Sequence, residues 1–205
     1  MHIKNIITSG KPITEARKAL IMVHGRGAGA NDILALSSHL NVKEYALLAP
    51  QATNNTWYPG SFLLPVQQNE PWLSSALALI EETVQDITKQ GIEHENIYFL
   101  GFSQGACLVL EYVTRNARKY GGIVAFTGGL QGETINEENY KGNFEGTRVF
   151  IGTGDPDSHV PVERVNRTAA IMNNMNAAVR VEVYKNKAHS ISQDEIDQAN
   201  SLVFG

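Results

Sequence analysis

The residues best suited to chemistry form the pentapeptide Gly-Phe-Ser-Gln-Gly at positions 101–105, with Ser103 at its centre. A short apolar run precedes this pentapeptide and a helical pattern follows it, so we expect the serine on a sharp strand-to-helix turn. The flanking glycines let the backbone make that turn and let the helix pack closely on the strand. The pattern is typical of an activated serine nucleophile, and the alternative interpretation is a glycine-rich turn with an incidental serine.

A serine hydroxyl needs a base within hydrogen-bond reach, and that base needs an orienting acid. In hydrolases with this serine turn, the acid follows the serine in the chain and the histidine comes last. Only His159 and His189 follow Ser103. His189 comes just after the last predicted strand, whereas His159 lies where the acid is expected. The order therefore favours His189 as the base.

The acid is predicted in the loop after the fifth central strand, where Asp155 and Asp157 flank a proline. Aspartates beside prolines also favour turns and helix caps without any chemistry. From the spacing alone, the choice between Asp155 and Asp157 stays open.

An oxyanion needs preorganised backbone N–H donors. One is expected from Gln104, the residue after the nucleophile, and the other from the glycine-rich loop at 24–29. That loop lacks the lysine of a phosphate-binding loop and the G-x-G-x-x-G spacing, so a nucleotide site is disfavoured. His24 is expected to hold the loop by hydrogen bonds. The single cysteine, Cys107, is expected to be a small core residue rather than a second nucleophile.

Apolar runs typical of buried strands alternate with segments of helical spacing along the chain. The predicted strands are residues 19–23, 45–49, 96–100, 122–126, 148–152 and 179–184, with an edge strand at 5–8. The predicted helices are residues 32–40, 71–90, 106–114, 162–175 and 194–203. This alternation predicts an α/β fold with a mostly parallel sheet and helices on both faces. Ligands of such sheets bind beyond the carboxyl ends of the strands.

The 205 residues fit a single domain, 1–205, of ordinary globular composition. The net charge of −4 and the absence of a basic cluster disfavour a nucleic-acid partner. We see no secretory signal and no apolar run long enough for stable membrane insertion, so a cytoplasmic location is expected. The histidines are scattered without metal-ligand spacing, and neither a metal nor another cofactor is expected.

Taken together in this order, the motifs resemble the carboxylesterase/phospholipase family of small α/β-hydrolases, which includes the acyl-protein thioesterases. The resemblance covers most of the chain and rests on the serine pentapeptide, on H-G-x-G at 24–27, on D-x-x-V-P at 157–161 and on His189 before the last helix. It implies an α/β-hydrolase fold, and the short chain predicts that this fold carries no large cap domain. It also implies Asp157 as the acid and the backbone N–H of Arg26 as the second oxyanion donor.

The same resemblance marks candidate substrate contacts. Thr-Trp-Tyr at 56–58 is similar to a family stretch near the substrate pocket, which implies contacts from Trp57 and Tyr58, with Phe62 adding apolar wall. Arg26 stands where thioesterase-like members usually carry a leucine. Its side chain is expected either to pair with a carboxylate or phosphate on the substrate or to point into solvent.

The leading hypothesis is a serine hydrolase that cleaves carboxylic esters or thioesters through a Ser-His-Asp triad and an acyl-enzyme. Its partners would be small acyl substrates, namely short acyl esters, lysophospholipids or acyl-thioesters. One alternative is a catalytically silent hydrolase-fold binding protein, and another is a lactonase or peptidase on the same fold. An exposed apolar rim could also serve a homodimer.

Overall fold

The computed structural model describes residues 1–205 and is built around one seven-stranded sheet in the order β1-β3-β2-β4-β5-β6-β7. The strands are β1 (Ile6–Gly10), β2 (Lys18–Val23), β3 (Tyr45–Pro50), β4 (Ile97–Phe102), β5 (Gly122–Phe126), β6 (Arg148–Asp155) and β7 (Ala178–Lys185). β1 pairs antiparallel with β3, and every other neighbouring pair is parallel. The predicted mostly parallel sheet is confirmed.

Four helices connect strands, and a fifth follows β7. They are α1 (Ala30–Ala35), α2 (Trp72–Lys89), α3 (Gln104–Arg115), α4 (Val162–Asn174) and α5 (Gln193–Ala199). The helix predicted at 32–40 is instead the short α1 followed by a 3-10 turn at Leu36–His39. The hydroxyls of Ser37 and Ser38 donate to the carbonyls three residues earlier, a local bond that competes with continued α-helix. The segment after α5, Asn200–Phe204, is a π-type turn.

The two faces of the sheet each bury a separate hydrophobic core, as alternation along a strand requires. In β2, Ile21 and Val23 pack into the core that α2, α3 and α4 cover. Leu20 and Met22 face the other way, into the core that α1 and α5 cover. Fully burying one such side chain stabilises the fold by roughly 1.5–3 kcal/mol. The predicted helix layers on both faces are thus confirmed.

The loops that follow β2, β4, β6 and β7 all leave the sheet at the carboxyl ends of parallel strands. They can therefore meet at one edge although they lie far apart in sequence. The long connection between β3 and α2 carries only two short 3-10 turns, at Thr53–Asn55 and Val66–Asn69, so no cap domain covers that edge. No helix is long and apolar enough to cross a membrane.

Candidate active site

Ser103 lies on the turn between β4 and α3 in a backbone conformation that a non-glycine residue rarely adopts, with φ 54° and ψ −118°. Its N–H donates to the carbonyl of Phe126 at 2.9 Å, and its carbonyl accepts from the N–H of Cys107 at 3.0 Å. These bonds tie the strained turn to β5 on one side and to the first turn of α3 on the other. The turn therefore fixes the direction in which the hydroxyl projects.

The two glycines of the pentapeptide are required by close backbone contacts. A Cβ on Gly101 would lie 2.5 Å from the carbonyl oxygen of Gly105. A Cβ on Gly105 would lie 2.5 Å from the carbonyl oxygen of His24 and would also clash with the carbonyl of Val23. Because the obstructing atoms are backbone, no side-chain rotation could relieve the clash. The start of α3 is thus pressed against the end of β2.

His189 connects the serine to an acid. Its Nε2 lies 2.8 Å from Ser103 Oγ, and its Nδ1 lies 2.7 Å from Asp157 Oδ2. A carboxylate can only accept, so Nδ1 carries the proton and Nε2 accepts from the serine hydroxyl. His159 makes neither contact, and its ring packs beside that of His189 with centroids 4.7 Å apart. The structure therefore brings together the serine, histidine and aspartate that the sequence singled out.

The Asp157 side chain is fully buried, and both its oxygens are engaged. Oδ1 accepts from the backbone N–H groups of His159 and Val160 at 2.8 and 2.9 Å. Burial by itself would raise the pKa of this carboxyl, but the hydrogen bonds from His189 and the two N–H groups outweigh it, so the pKa lies below its usual value. Asp155 is exposed and its carboxylate has no hydrogen-bond partner. The structure thus distinguishes Asp157, which bonds to His189, from Asp155, which does not. Sequence spacing alone could not make this distinction.

A buried ion pair holds the loop that carries His189. The ammonium of Lys187 lies 3.0 and 2.9 Å from the two carboxylate oxygens of Glu195 and also donates to the carbonyl of Ser190 at 2.6 Å. The Glu195 side chain is fully buried, and it accepts from the backbone and hydroxyl of Ser192. Sequence reasoning missed this contact. The Ser-x-x-Glu capping box at 192–195 was the available signal.

Two backbone N–H groups near Ser103 make no hydrogen bond within the protein, those of Gln104 and Arg26. The first belongs to the opening turn of α3, where helix donors have no partner. The second lies in the glycine-rich loop, which His24 anchors. His24 Nδ1 donates to the carbonyl of Gly25, and His24 Nε2 accepts from the N–H of Ala52. Burial lowers the pKa of His24, which favours the neutral ring that both bonds need.

The side chain of Gln104 has a role that the sequence did not suggest. Its carbonyl oxygen accepts from the N–H of Trp57 at 2.9 Å, and its amide donates to the carbonyl of Tyr58 at 2.8 Å. The first turn of α3 is thereby tied to the long connection between β3 and α2. Sequence motifs assigned only the backbone of Gln104 because they do not report side-chain partners.

Trp57, a predicted substrate contact, does not line the cavity beside Ser103. Its side chain is fully buried away from the cavity, and its indole N–H donates to the carbonyl of His24 at 2.8 Å. The ring also packs on the ring of His24, with centroids 4.9 Å apart. Trp57 therefore holds the glycine-rich loop by one hydrogen bond and by ring packing on His24. The motif located the correct segment, but it could not tell which way the indole points.

A cavity of about 600 Å³ opens beside Ser103. The predicted contacts Tyr58 and Phe62 both line it, together with Leu63 and Cys107. Burial raises the pKa of the Cys107 thiol to about 12, so the thiol stays protonated near neutral pH and is a poor nucleophile. The cavity thus combines an apolar wall with the Ser103 hydroxyl, which is hydrogen-bonded to His189.

Asp157, His159 and His189 also place ligand-type atoms within 4.8 Å of one another, close enough to surround a metal ion. However, the hydrogen bonds to Asp157 and Ser103 already engage both nitrogens of His189. A metal on His189 would have to displace one of these partners. The donor set is therefore better suited to proton transfer than to a resident metal.

Comparison with known proteins agrees with this architecture. A family model described as phospholipase/carboxylesterase matches residues 4–203. The crystal structure of a phospholipase/carboxylesterase from Dyadobacter fermentans is 58% identical, with a TM-score of 0.99 over 100% of this chain and 98% of that one. Acyl-protein thioesterase 1 of Saccharomyces cerevisiae is 29% identical over 93% of both chains. A Bacillus cereus carboxylesterase shares the fold with a TM-score of 0.79 at 18% identity, over 97% of this chain and 92% of that one.

Proposed function

Because the chain belongs to the phospholipase/carboxylesterase family, we propose that this esterase-type hydrolase cleaves its substrates with Ser103 as nucleophile, His189 as base and Asp157 as orienting acid. The observation that carries the proposal is the continuous hydrogen-bonded chain from Ser103 Oγ through the imidazole to the buried carboxylate, with distances of 2.8 and 2.7 Å. These distances suit proton transfer in the ground state.

In the proposed reaction, Ser103 Oγ attacks the acyl carbonyl carbon while its proton passes to His189 Nε2. The carbonyl oxygen becomes an oxyanion, which the free N–H groups of Gln104 and Arg26 stabilise together with the positive end of α3. As the tetrahedral intermediate collapses, His189 returns the proton to the leaving oxygen or sulfur. The products of this half-reaction are an acyl-serine and an alcohol or thiol.

In the second half-reaction, His189 takes a proton from water, and the resulting hydroxide attacks the acyl-serine. The same N–H groups hold the second oxyanion, and Ser103 leaves with its proton restored. Asp157 keeps the imidazole in one tautomer and stabilises the imidazolium in both halves.

The proposed substrates are carboxylic esters and thioesters with acyl groups small enough for the cavity beside Ser103. The yeast relative named acyl-protein thioesterase supports the thioester, and the carboxylesterase relatives support the ester. The apolar lining by Tyr58, Phe62 and Leu63 supports an acyl chain in that position.

Initial rates on p-nitrophenyl esters from acetyl to palmitoyl test the proposal directly. We expect Ser103→Ala to lower kcat by at least about 10⁴-fold, because the nucleophile is lost. Ser61→Ala is the matched control, because Ser61 lines the same cavity and takes no part in the hydrogen-bonded chain. Ser103→Ala protein that kept its rate within tenfold of wild type would refute the assignment.

A further inference from the structure

Two basic side chains line the cavity, on loops that follow different strands. Arg26 belongs to the glycine-rich loop after β2, and His159 belongs to the loop after β6. Arg26 is exposed, and the His159 side chain is 68% exposed. Neither carries out a chemical step with its side chain in the proposed reaction. The proposed reaction therefore gives these two side chains no role, although both line the cavity beside Ser103.

The guanidinium of Arg26 is held in place but not neutralised. Nη1 donates to the carbonyl of Pro59 at 2.9 Å, and Nη2 donates to the carbonyl of Gly60 at 2.6 Å. The predicted alternatives, a substrate contact or a side chain free in solvent, did not include this tether. Arg26 forms no ion pair with a carboxylate. Two of its five N–H donors are used, so three stay available around a full positive charge.

His159 offers a second donor. Its Nδ1 lies 3.1 Å from the Ser158 hydroxyl, while Nε2 has no partner within the protein. Its ring packs against His189, so a ligand bound to Nε2 would lie near the reacting groups.

No carboxylate lines the cavity, since none of the lining residues is an aspartate or a glutamate. The Asp157 carboxylate lies 3.9 Å from His159 Nδ1, but it is buried and accepts hydrogen bonds from His189 and two backbone N–H groups. The N-terminus of α3 adds further positive potential. The chain as a whole has a net charge of −4, so the basic rim is a local feature rather than part of a general basic surface.

We infer that Arg26 and His159 form a subsite for an anionic group of the substrate, a carboxylate or a phosphate, a few bonds away from the reacting carbonyl. This inference rests on the proposed function and narrows its substrate class. Guanidinium groups bind such anions through paired, charge-assisted hydrogen bonds. Phe62 and Leu63, on the same cavity wall, would contact the methylene groups between the anion and the carbonyl.

The test compares two substrates that differ in charge and by one terminal methyl group, p-nitrophenyl hydrogen adipate and p-nitrophenyl methyl adipate. We expect wild-type kcat/KM to favour the anionic ester by at least about tenfold, the effect of one charge-assisted hydrogen bond. Arg26→Met should bring the ratio of kcat/KM for the anionic ester to kcat/KM for the neutral ester close to one, and Arg26→Lys should keep part of the preference. His159→Gln should lower the ratio by about threefold. Lys43→Met removes an exposed charge outside the cavity and should leave the ratio unchanged.

A second pair, para-acetoxybenzoate and its methyl ester, places the anion on the leaving group instead of the acyl chain. A preference in the adipate pair alone assigns the anion to the acyl side, and a preference in the benzoate pair alone assigns it to the leaving group. A ratio of one or below in both pairs, or a ratio that Arg26→Met leaves intact, would overturn the subsite.

Binding measurements separate failure of the subsite from failure of the proposed function. Calorimetry on Ser103→Ala protein should show that monomethyl adipate binds at least about tenfold more tightly than dimethyl adipate. Turnover of neutral esters with equal binding of both ligands would refute the subsite and leave the function standing. Absence of turnover on every ester would refute the function, while tighter binding of the monoanion would still support the subsite.

Discussion

The two halves of the proposed catalytic centre are held in place by different means. In the nucleophile half, formed by Ser103, Gln104 and the loop at 24–29, backbone packs directly against backbone. In the acid–base half, formed by the loops at 155–160 and 186–192, side-chain hydrogen bonds and one buried ion pair hold the geometry. His24 and Gln104 add side-chain hydrogen bonds to the first half, but its tightest constraint is steric, since a Cβ on Gly105 would clash with backbone carbonyls. In the second half, the side chains of Asp157 and His189 are held by polar contact.

This difference predicts how each half responds to change. Backbone contacts leave no room for even a methyl group, so an added methyl in the nucleophile half should lower both stability and kcat sharply. Polar contacts can lengthen or exchange partners, so substitutions in the acid–base half should lower kcat by degrees while the fold persists. Three substitutions or conditions test this contrast, in order of decreasing effect on the protein.

The largest effect is expected from Gly105→Ala. The added methyl meets the carbonyls of Val23 and His24, so α3 and the end of β2 must separate. We expect a loss of about 3 kcal/mol in the free energy of unfolding and a fall of at least about 100-fold in kcat, since a displacement near 1 Å costs that much. Urea denaturation and ester kinetics measure the two quantities.

Gly91→Ala is the matched control for that crowding. Gly91 follows α2 with φ +87°, and a Cβ there would meet nothing within 4 Å. The same substitution should therefore cost only the strain of a left-handed alanine, about 1 kcal/mol, with an unchanged kcat. Equal falls in kcat for Gly105→Ala and Gly91→Ala would contradict the claim that crowding at Gly105 lowers kcat by displacing α3.

An intermediate effect is expected from Glu195→Gln. The buried ammonium of Lys187 would lose its counter-charge, which costs about 3 kcal/mol in stability. Because Lys187 also holds the carbonyl of Ser190, the loop would loosen, and we expect kcat to fall about tenfold with little change in KM. Asp194→Asn, at an exposed neighbour, serves as control. A fall in kcat with an almost unchanged KM is the expected pattern, and a rise in KM with intact kcat would contradict a positioning role.

The smallest effect concerns the stability that Asp157 contributes at different pH. Its pKa is lower in the folded chain than in the unfolded chain, so its contribution is present above the unfolded-state value and disappears as the pH falls through the folded-state value. The difference in unfolding free energy between wild type and Asp157→Asn should be about 1–2 kcal/mol at pH 7. It should narrow in urea denaturation as the pH falls below the usual aspartate value, about 3.9, and a widening difference would contradict the assignment.

The same contrast explains which parts of the molecule could be predicted from sequence. The strand-to-helix turn at Ser103 was predictable because its glycines encode a backbone conformation, and backbone geometry is local. The strands followed from their apolar runs, since a parallel strand is buried on both faces. The break after α1 was missed because it depends on the side-chain bonds of two serines.

Side-chain direction and long-range polar contacts were harder to predict. Spacing left Asp155 and Asp157 equal, and only the family motif favoured the one that faces His189. The family motif placed both Trp57 and Tyr58 near the pocket, but only Tyr58 lines the cavity; loop residues carry no alternation that marks a buried face. The ion pair between Lys187 and Glu195 crosses from a loop to a helix and leaves no pattern beyond the capping box.

Labelling with a fluorophosphonate, followed by peptide mass spectrometry, tests the central claim most directly. The reagent forms a stable adduct only with a serine that a neighbouring base activates. Ser61, Ser103 and Ser158 all line the same cavity, and Ser61 and Ser158 are more exposed than Ser103, so greater access cannot explain selective labelling of Ser103. The account predicts one adduct, on Ser103, which disappears in His189→Ala protein. An adduct on Ser61 or Ser158, or labelling of Ser103 that persists without His189, would contradict it.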